Sequence, residues 1–173
     1  YPHVDPRGRA VLLREEDPRG GPVAGVEVEH RDPDGEIFRI RRPANPNETN
    51  ALIRIFRASN FRRVPTSPEH DLLVVTEESG RVLGGLIYRR PSATYAVLEW
   101  IVVGRHRRGR RIGSVLLGDF LERLKVQGVK AVSTGFFRPG FFAQFGFGLD
   151  PRYAGIVKIL AESPSGEFPA PSL

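Results

Sequence analysis

The sequence predicts a single α/β domain built on a largely antiparallel sheet, from three observations. Three strand-like runs, Asp71 to Glu77, Arg81 to Arg89 and Ala93 to Val103, follow one another across short turns, the pattern of an antiparallel meander. Directly after them Ile112, Val115, Leu116, Phe120, Leu121 and Leu124 recur at helical spacing, the clearest helix in the chain. The 173 residues are enough for one well-buried domain and too few for two.

Before the meander, Arg9 to Glu15 and Val23 to His30 read as strands separated by Asp17-Pro-Arg-Gly-Gly-Pro22 and followed by the turn Asp32-Pro-Asp-Gly35. Glu36 to Arg41 is a third strand. A helix then starts at Asn45 or Asn47 as cap, carries Leu52, Ile53, Ile55 and Phe56, and fades near Ser59. The run Tyr95 to Val103 is apolar on both faces except for Glu99, which places it centrally in a sheet covered on both sides. The long helix ends at Gly128. Val129 to Thr134 is a strand, Pro139 to Phe145 a short helix, Gly155 to Leu160 a last strand, and 163–173 a flexible tail.

Composition narrows the function classes. With 40% hydrophobic and 27% charged residues, the chain is that of an ordinary globular domain rather than a disordered one. No apolar run approaches the roughly 18 residues of a membrane span, and Tyr1-Pro-His-Val-Asp5 does not resemble a signal peptide. Cysteine is absent, so disulfides, thiolate metal sites and a cysteine nucleophile are excluded and a cytoplasmic location is expected. His3, His30, His70 and His106 show no ligand spacing, so no metal site is expected. The absence of methionine reads as an excised domain of a larger polypeptide or a trimmed chain.

The net charge of +6 has an address: Arg105, Arg107, Arg108, Arg110 and Arg111 supply five positive charges within seven residues, leaving the rest of the chain close to neutral. Arginine makes up 23 of the 26 basic residues along the whole chain, so the density of this run is the signal and its residue type is not. A central strand leads into Arg108-Gly-Arg-Arg-Ile-Gly-Ser114, which opens onto the best helix. Free amides and the helix dipole attract anions there, Gly109 and Gly113 allow close approach, and the guanidiniums offer forked donors to phosphate. Strand, basic glycine loop and helix read as a pyrophosphate cradle. The loop lacks the lysine and length of a Walker motif and the three glycines of a dinucleotide fingerprint. A solvated basic turn or a nucleic-acid backbone patch is the competing reading.

Val103, five residues before Arg108, the Arg-Gly-Arg-x-Ile-Gly-Ser loop, the Leu-rich helix and Phe141-Phe-Ala-Gln-Phe-Gly-Phe147 together resemble the GCN5-related N-acetyltransferases (GNAT fold), over roughly residues 36 to 160. The resemblance implies a mixed, mostly antiparallel central sheet flanked by helices, here with an extra N-terminal β-hairpin. It divides the chain into a strand or hairpin extension (1–35), an acetyl-CoA-binding domain (36–162) and the tail. It implies that acetyl-CoA wedges beside the central strand. Backbone groups of Ile101, Val102 and Val103 would meet the pantetheine and acetyl carbonyl. Arg108, Gly109, Arg110, Arg111, Ile112 and Gly113, with Ser114 beside them, would hold the pyrophosphate. The implied reaction is direct transfer of acetyl to an amine on a small molecule or protein, with no membrane and no nucleic acid as partner.

Two departures from the family pattern bear on catalysis. Arg111 stands where the first glycine of the loop is usual, and its side chain must swing outward. Phe142 takes the place of the tyrosine general acid, and Gly135 lies near the place of a frequent asparagine. Glu99 is the candidate general base, since a desolvated carboxylate accepts a proton from an ammonium readily. An ion pair with Arg89 or Arg90 is its alternative reading. Tyr153 is a substitute acid if its hydroxyl folds back to the thiol, and otherwise packs. Ser133 and Thr134 could position a proton-relaying water. Trp100 and most of the phenylalanines from 136 to 147 are expected in the core. The loop from Phe61 to Glu69, with Arg62 and Arg63, forms part of the implied acceptor wall and carries no diagnostic motif. The missing tyrosine leaves a second reading open, a non-catalytic acetyl-CoA-binding module of a larger protein.

Overall fold

The computed structural model describes residues 2–4, 10–12, 27–32, 34–61, 63–64, 67–104, 111–135 and 138–161. Among them, strands β1 (Pro2–Val4), β2 (Ala10–Leu12), β3 (Glu27–Arg31) and β4 (Ile37–Arg41) precede helix α1 (Pro46–Ala58). The meander β5 (His70–Glu77), β6 (Val82–Ser92) and β7 (Tyr95–Val103) follows, then α2 (Ile112–Val126), β8 (Ala131–Thr134), α3 (Pro139–Ala143), β9 (Gly148–Leu149) and β10 (Ile156–Ile159). The strands form one sheet in the order β1-β2-β3-β4-β5-β6-β7-β8-β10-β9. Every neighbouring pair is antiparallel except β7 and β8, which α2 joins as a parallel crossover.

The expected mixed sheet, the meander and the extra N-terminal hairpin (β1–β2) are all present. The tail 163–173 lies outside the described residues. The two-residue strand β9 was not foreseen, because Gly148–Leu149 is too short to show a period.

Period-two alternation explains the two-sided core. On β5, Leu73 and Val75 face the α2 side, where Leu98, Ile101, Leu116, Leu117, Phe120, Leu124 and Phe142 are buried. Val74 faces the other side and packs with Leu52 and Phe56 of α1, Ile87 and Val102. Gly84 lets β6 lie flush against β7, because a Cβ there would fall 2.3 Å from the Val102 carbonyl oxygen.

Both helices are fastened by polar contacts. Asn45 caps α1 by accepting from the Glu48 amide at 3.0 Å, Pro46 opens its first turn, and the Glu48 carboxylate accepts from the Ala44 amide at 2.7 Å. Arg41 then bridges Glu48 (2.5 Å) and Glu27 (3.0 Å), tying β3 and β4 to α1. On α2, Arg123 donates from Nε to buried Asp119 at 2.5 Å and from Nη2 to the Ile40 carbonyl at 2.8 Å. Burial pushes the Asp119 carboxyl up, but the Arg123 guanidinium, with His30 Nε2 3.8 Å away, outweighs it and holds the group below the usual carboxylate range.

The register of β6 on β7 carries one irregularity. Ile87 pairs with Trp100 and Tyr88 with Leu98, so Glu99 is an extra residue on β7, a β-bulge that bends the strand at that point.

Candidate functional site

The parallel pairing of β7 with β8 runs from Tyr95↔Ala131 to Leu98↔Thr134 and stops, while β7 continues to Val103. Thr134 marks the end by donating from its hydroxyl to the Leu98 carbonyl at 2.8 Å. Beyond this fork lies a cleft of about 540 Å³. Its floor is Ile101, Val102 and Val103; the start of α2 supplies Arg111, Ile112, Gly113 and Ser114; Ser59, Phe61, Arg138 and Phe141 complete the walls.

The α2 end of the cleft has the character of an anion site. The first amides of α2 have no intrahelical partners to donate to, the helix dipole adds positive character, and no acidic residue occupies the first turn. Arg111 takes the left-handed conformation (φ 62°) as the helix cap. The arginine at the glycine position therefore adopts the backbone shape that glycine would supply. A Cβ on Gly113 would meet only ordinary contacts, 3.7 Å from Val103 Cγ2 and 3.8 Å from Phe141 Cζ, so small residues fit and larger ones fill the cleft. Arg138 adds a second guanidinium, 4.7 Å above the Phe141 ring. Arg108, Gly109, Arg110 and His106 lie outside the described residues.

On the α1 face of the sheet Glu99 is half-buried, and Arg89 Nε donates to its Oε1 at 2.6 Å. The ion pair with Arg89 is thus formed; burial is incomplete. His70 Nε2 approaches the same Oε1 at 3.9 Å, and His70 Nδ1 shares a 2.6 Å hydrogen bond with Ser67 Oγ. Trp100 packs edge-on against Phe61, 4.5 Å between ring centroids. Tyr153 is buried beside Tyr95, Ala131 and Val157, its ring 5.3 Å from that of Tyr95. Ser133 is hydrogen-bonded to the Tyr95 hydroxyl. Phe142 is fully buried in the α2-side core, while its neighbour Phe141 lines the cleft.

The family described as acetyltransferase (GNAT) matches residues 35–147. The chain belongs to that family. Solved GNAT structures share its fold. Ard1 from Thermoplasma volcanium superposes with a TM-score of 0.59 at 22% identity, over 72% of this chain and 99% of its own. Tetrahymena GCN5 gives 0.58 at 19% identity, over 68% of this chain and 89% of its own. The GNAT family N-acetyltransferase YhbS from Escherichia coli, solved in complex with CoA, gives 0.53 at 21% identity, over 73% of this chain and 82% of its own. No curated protein matches the chain by sequence.

Within this GNAT domain the fork brings Ile101, Val102, Val103, Arg111, Ile112, Gly113 and Ser114 to one cleft. Glu99 sits one residue past the last β7–β8 pair, and Tyr153 belongs to a separate buried cluster. Sequence reasoning missed Ser59, Arg138 and the partners Ser67 and His70. The only signal for His70 was its place at the start of a strand beside the acceptor loop. Among the described residues no group of His, Cys, Asp or Glu could hold a metal ion, and no helix is long and apolar enough to cross a membrane.

Proposed function

We propose that this domain binds acetyl-CoA in the cleft beyond the Leu98–Thr134 fork and transfers its acetyl group to an amine. The observation that carries the reading is the fork itself: β7 offers Ile101 and Val102 past the end of its parallel partner, directly opposite the amide-rich start of α2. The group fits these residues. A narrow apolar floor suits a pantetheine arm, and the Arg111–Ser114 turn, with Arg138 across the cleft, suits a pyrophosphate.

When bound, acetyl-CoA supplies an activated acetyl thioester. The protein's own part is to hold it with backbone groups of Ile101, Val102 and Val103, and to anchor its phosphates with Arg108, Gly109, Arg110, Arg111, Ile112, Gly113 and Ser114. A backbone amide near Val102 would polarise the acetyl carbonyl. Glu99 would accept the proton that the acceptor ammonium must lose. No hydroxyl stands at Phe142, so the thiolate would leave without a strong acid; Tyr153, buried against Tyr95, is the alternative donor. Residues 36–162 would form the catalytic domain, with 1–35 an added extension.

Calorimetric titration with acetyl-CoA at moderate salt, with ATP as the polyanion control, tests the cofactor reading. Micromolar binding that prefers acetyl-CoA, kept in Gly113→Ala and lost in Gly113→Leu, is the expected result. Equal binding of ATP, or none, would reject it. A screen of amines for release of free CoA then separates an enzyme from a non-catalytic acetyl-CoA-binding module: binding without release would establish the module.

A further inference from the structure

Glu99 carries an asymmetry that the family resemblance does not explain. Arg89 Nε and His70 Nε2 both converge on Oε1, at 2.6 and 3.9 Å, and Oε2 has no partner among the described residues. The arrangement is fixed from behind. His70 pairs in register with Arg89 across β5 and β6, its side chain is only 10% exposed, and its other ring nitrogen is engaged by Ser67 Oγ at 2.6 Å. The bulge puts Glu99 immediately beyond the fork.

We propose that Ser67 and His70 are positioning residues of the acceptor side. The Ser67 hydroxyl donates to His70 Nδ1 and thereby selects the tautomer that turns Nε2–H toward Oε1 of Glu99. With Oε1 held by Arg89 Nε at 2.6 Å and faced by the His70 ring at 3.9 Å, Oε2 is the oxygen presented to the acceptor. It accepts a hydrogen bond from the acceptor's ammonium and then takes its proton: the N–H bond breaks, an O–H bond forms on Glu99, and the free amine is left to attack. This rests on the reading of Glu99 as the group that meets the amine. The charged groups around His70 are Glu99 from β7, Arg89 from β6 and, on its own strand, Asp71, which faces Arg42 at 3.6 Å.

Two measurements test this. Ring nitrogen NMR of the free protein is expected to show neutral His70 as the Nε2–H tautomer, with the other tautomer growing in for Ser67→Ala. A wild-type Nδ1–H tautomer overturns the proposal with no reference to turnover. The second measurement is the pH profile of CoA release from acetyl-CoA with L-lysine, spermidine and a lysine-containing peptide as acceptors. His70→Ala is expected to lower kcat/KM for the amine roughly 10²-fold, the low end of a positioned proton transfer, with acetyl-CoA affinity unchanged. His70→Gln, which can still offer an N–H to Oε1, is expected to recover most of that loss. Equal loss in both variants at every pH would mark a merely structural residue and overturn the proposal. If the tautomer is as expected but Glu99→Gln transfers acetyl at the wild-type rate, or no acceptor turns over, the reading of the site has failed and the proposal falls with it.

Discussion

Thr134 donates its hydroxyl to the Leu98 carbonyl at 2.8 Å, and these two residues are also the last pair that β7 and β8 share. One side-chain hydrogen bond therefore sits where the sheet stops being continuous. Both residues are buried, so water does not replace the bond when it is lost. Thr134→Val keeps the shape and removes the donor. It is expected to destabilise the domain by about 1–3 kcal/mol, the range for stranding a buried partner, as read by urea denaturation. The variant is also expected to weaken acetyl-CoA binding, because the strand ends that frame the cleft lose their tie.

Arg111 makes a different wager between stability and binding. Its left-handed backbone (φ 62°) costs a non-glycine residue about 1 kcal/mol. Arg111→Gly should recover that strain and raise the thermal midpoint, while removing a guanidinium from the cleft wall. Calorimetry is expected to show weaker acetyl-CoA binding in the more stable variant. Tighter or unchanged binding would show that the side chain does not meet the phosphates.

How much of this was readable in the sequence depends on how local each feature is. Asn45, the 52–56 helix pattern, the meander and the α2 stripe are written in residues close together, and the structure places them as read. The onset of α2 at Ile112 was legible because its apolar spacing begins directly after the basic, glycine-containing run. The bulge at Glu99 was not, since it depends on the pairing of β7 with β6 rather than on either strand alone. The pairing of Glu99 with Arg89 rather than Arg90 turns on which side of β6 each side chain leaves, and only the register decides that. His70, backed by Ser67, approaches Glu99 across three strands, a distance no local pattern spans.

Asp119 and Arg123 form a buried pair in α2, with His30 Nε2 3.8 Å from the carboxylate. Because the folded state holds the Asp119 carboxyl below its ordinary value, the stability it contributes is fully present above the unfolded carboxylate range. That contribution is lost as pH falls through the folded value. Denaturation midpoints measured from neutral pH down into the acid range should therefore decline, and Asp119→Asn should flatten part of that decline. At neutral pH Asp119→Ala leaves the Arg123 cation buried without its partner and is expected to cost about 3–5 kcal/mol.

Phe142 and Phe141 separate two roles that the Phe-Phe motif runs together. Phe142 is fully buried, its ring centroid 5.2 Å from those of both Phe141 and Phe147. Phe142→Tyr restores the family's usual residue yet would place an O–H in the buried apolar core. It is expected to lower stability by about 1–3 kcal/mol without raising the rate of CoA release. Phe141 lines the cleft beside Gly113. Phe141→Tyr can direct its hydroxyl into that space and should leave stability within about 0.5 kcal/mol of the parent. If protonation of the leaving sulfur limits transfer, Phe141→Tyr is the variant expected to speed it, most clearly toward lower pH where the phenol stays protonated. A rate gain in Phe142→Tyr with unchanged stability would show instead that the 142 side chain turns from the core to the cleft.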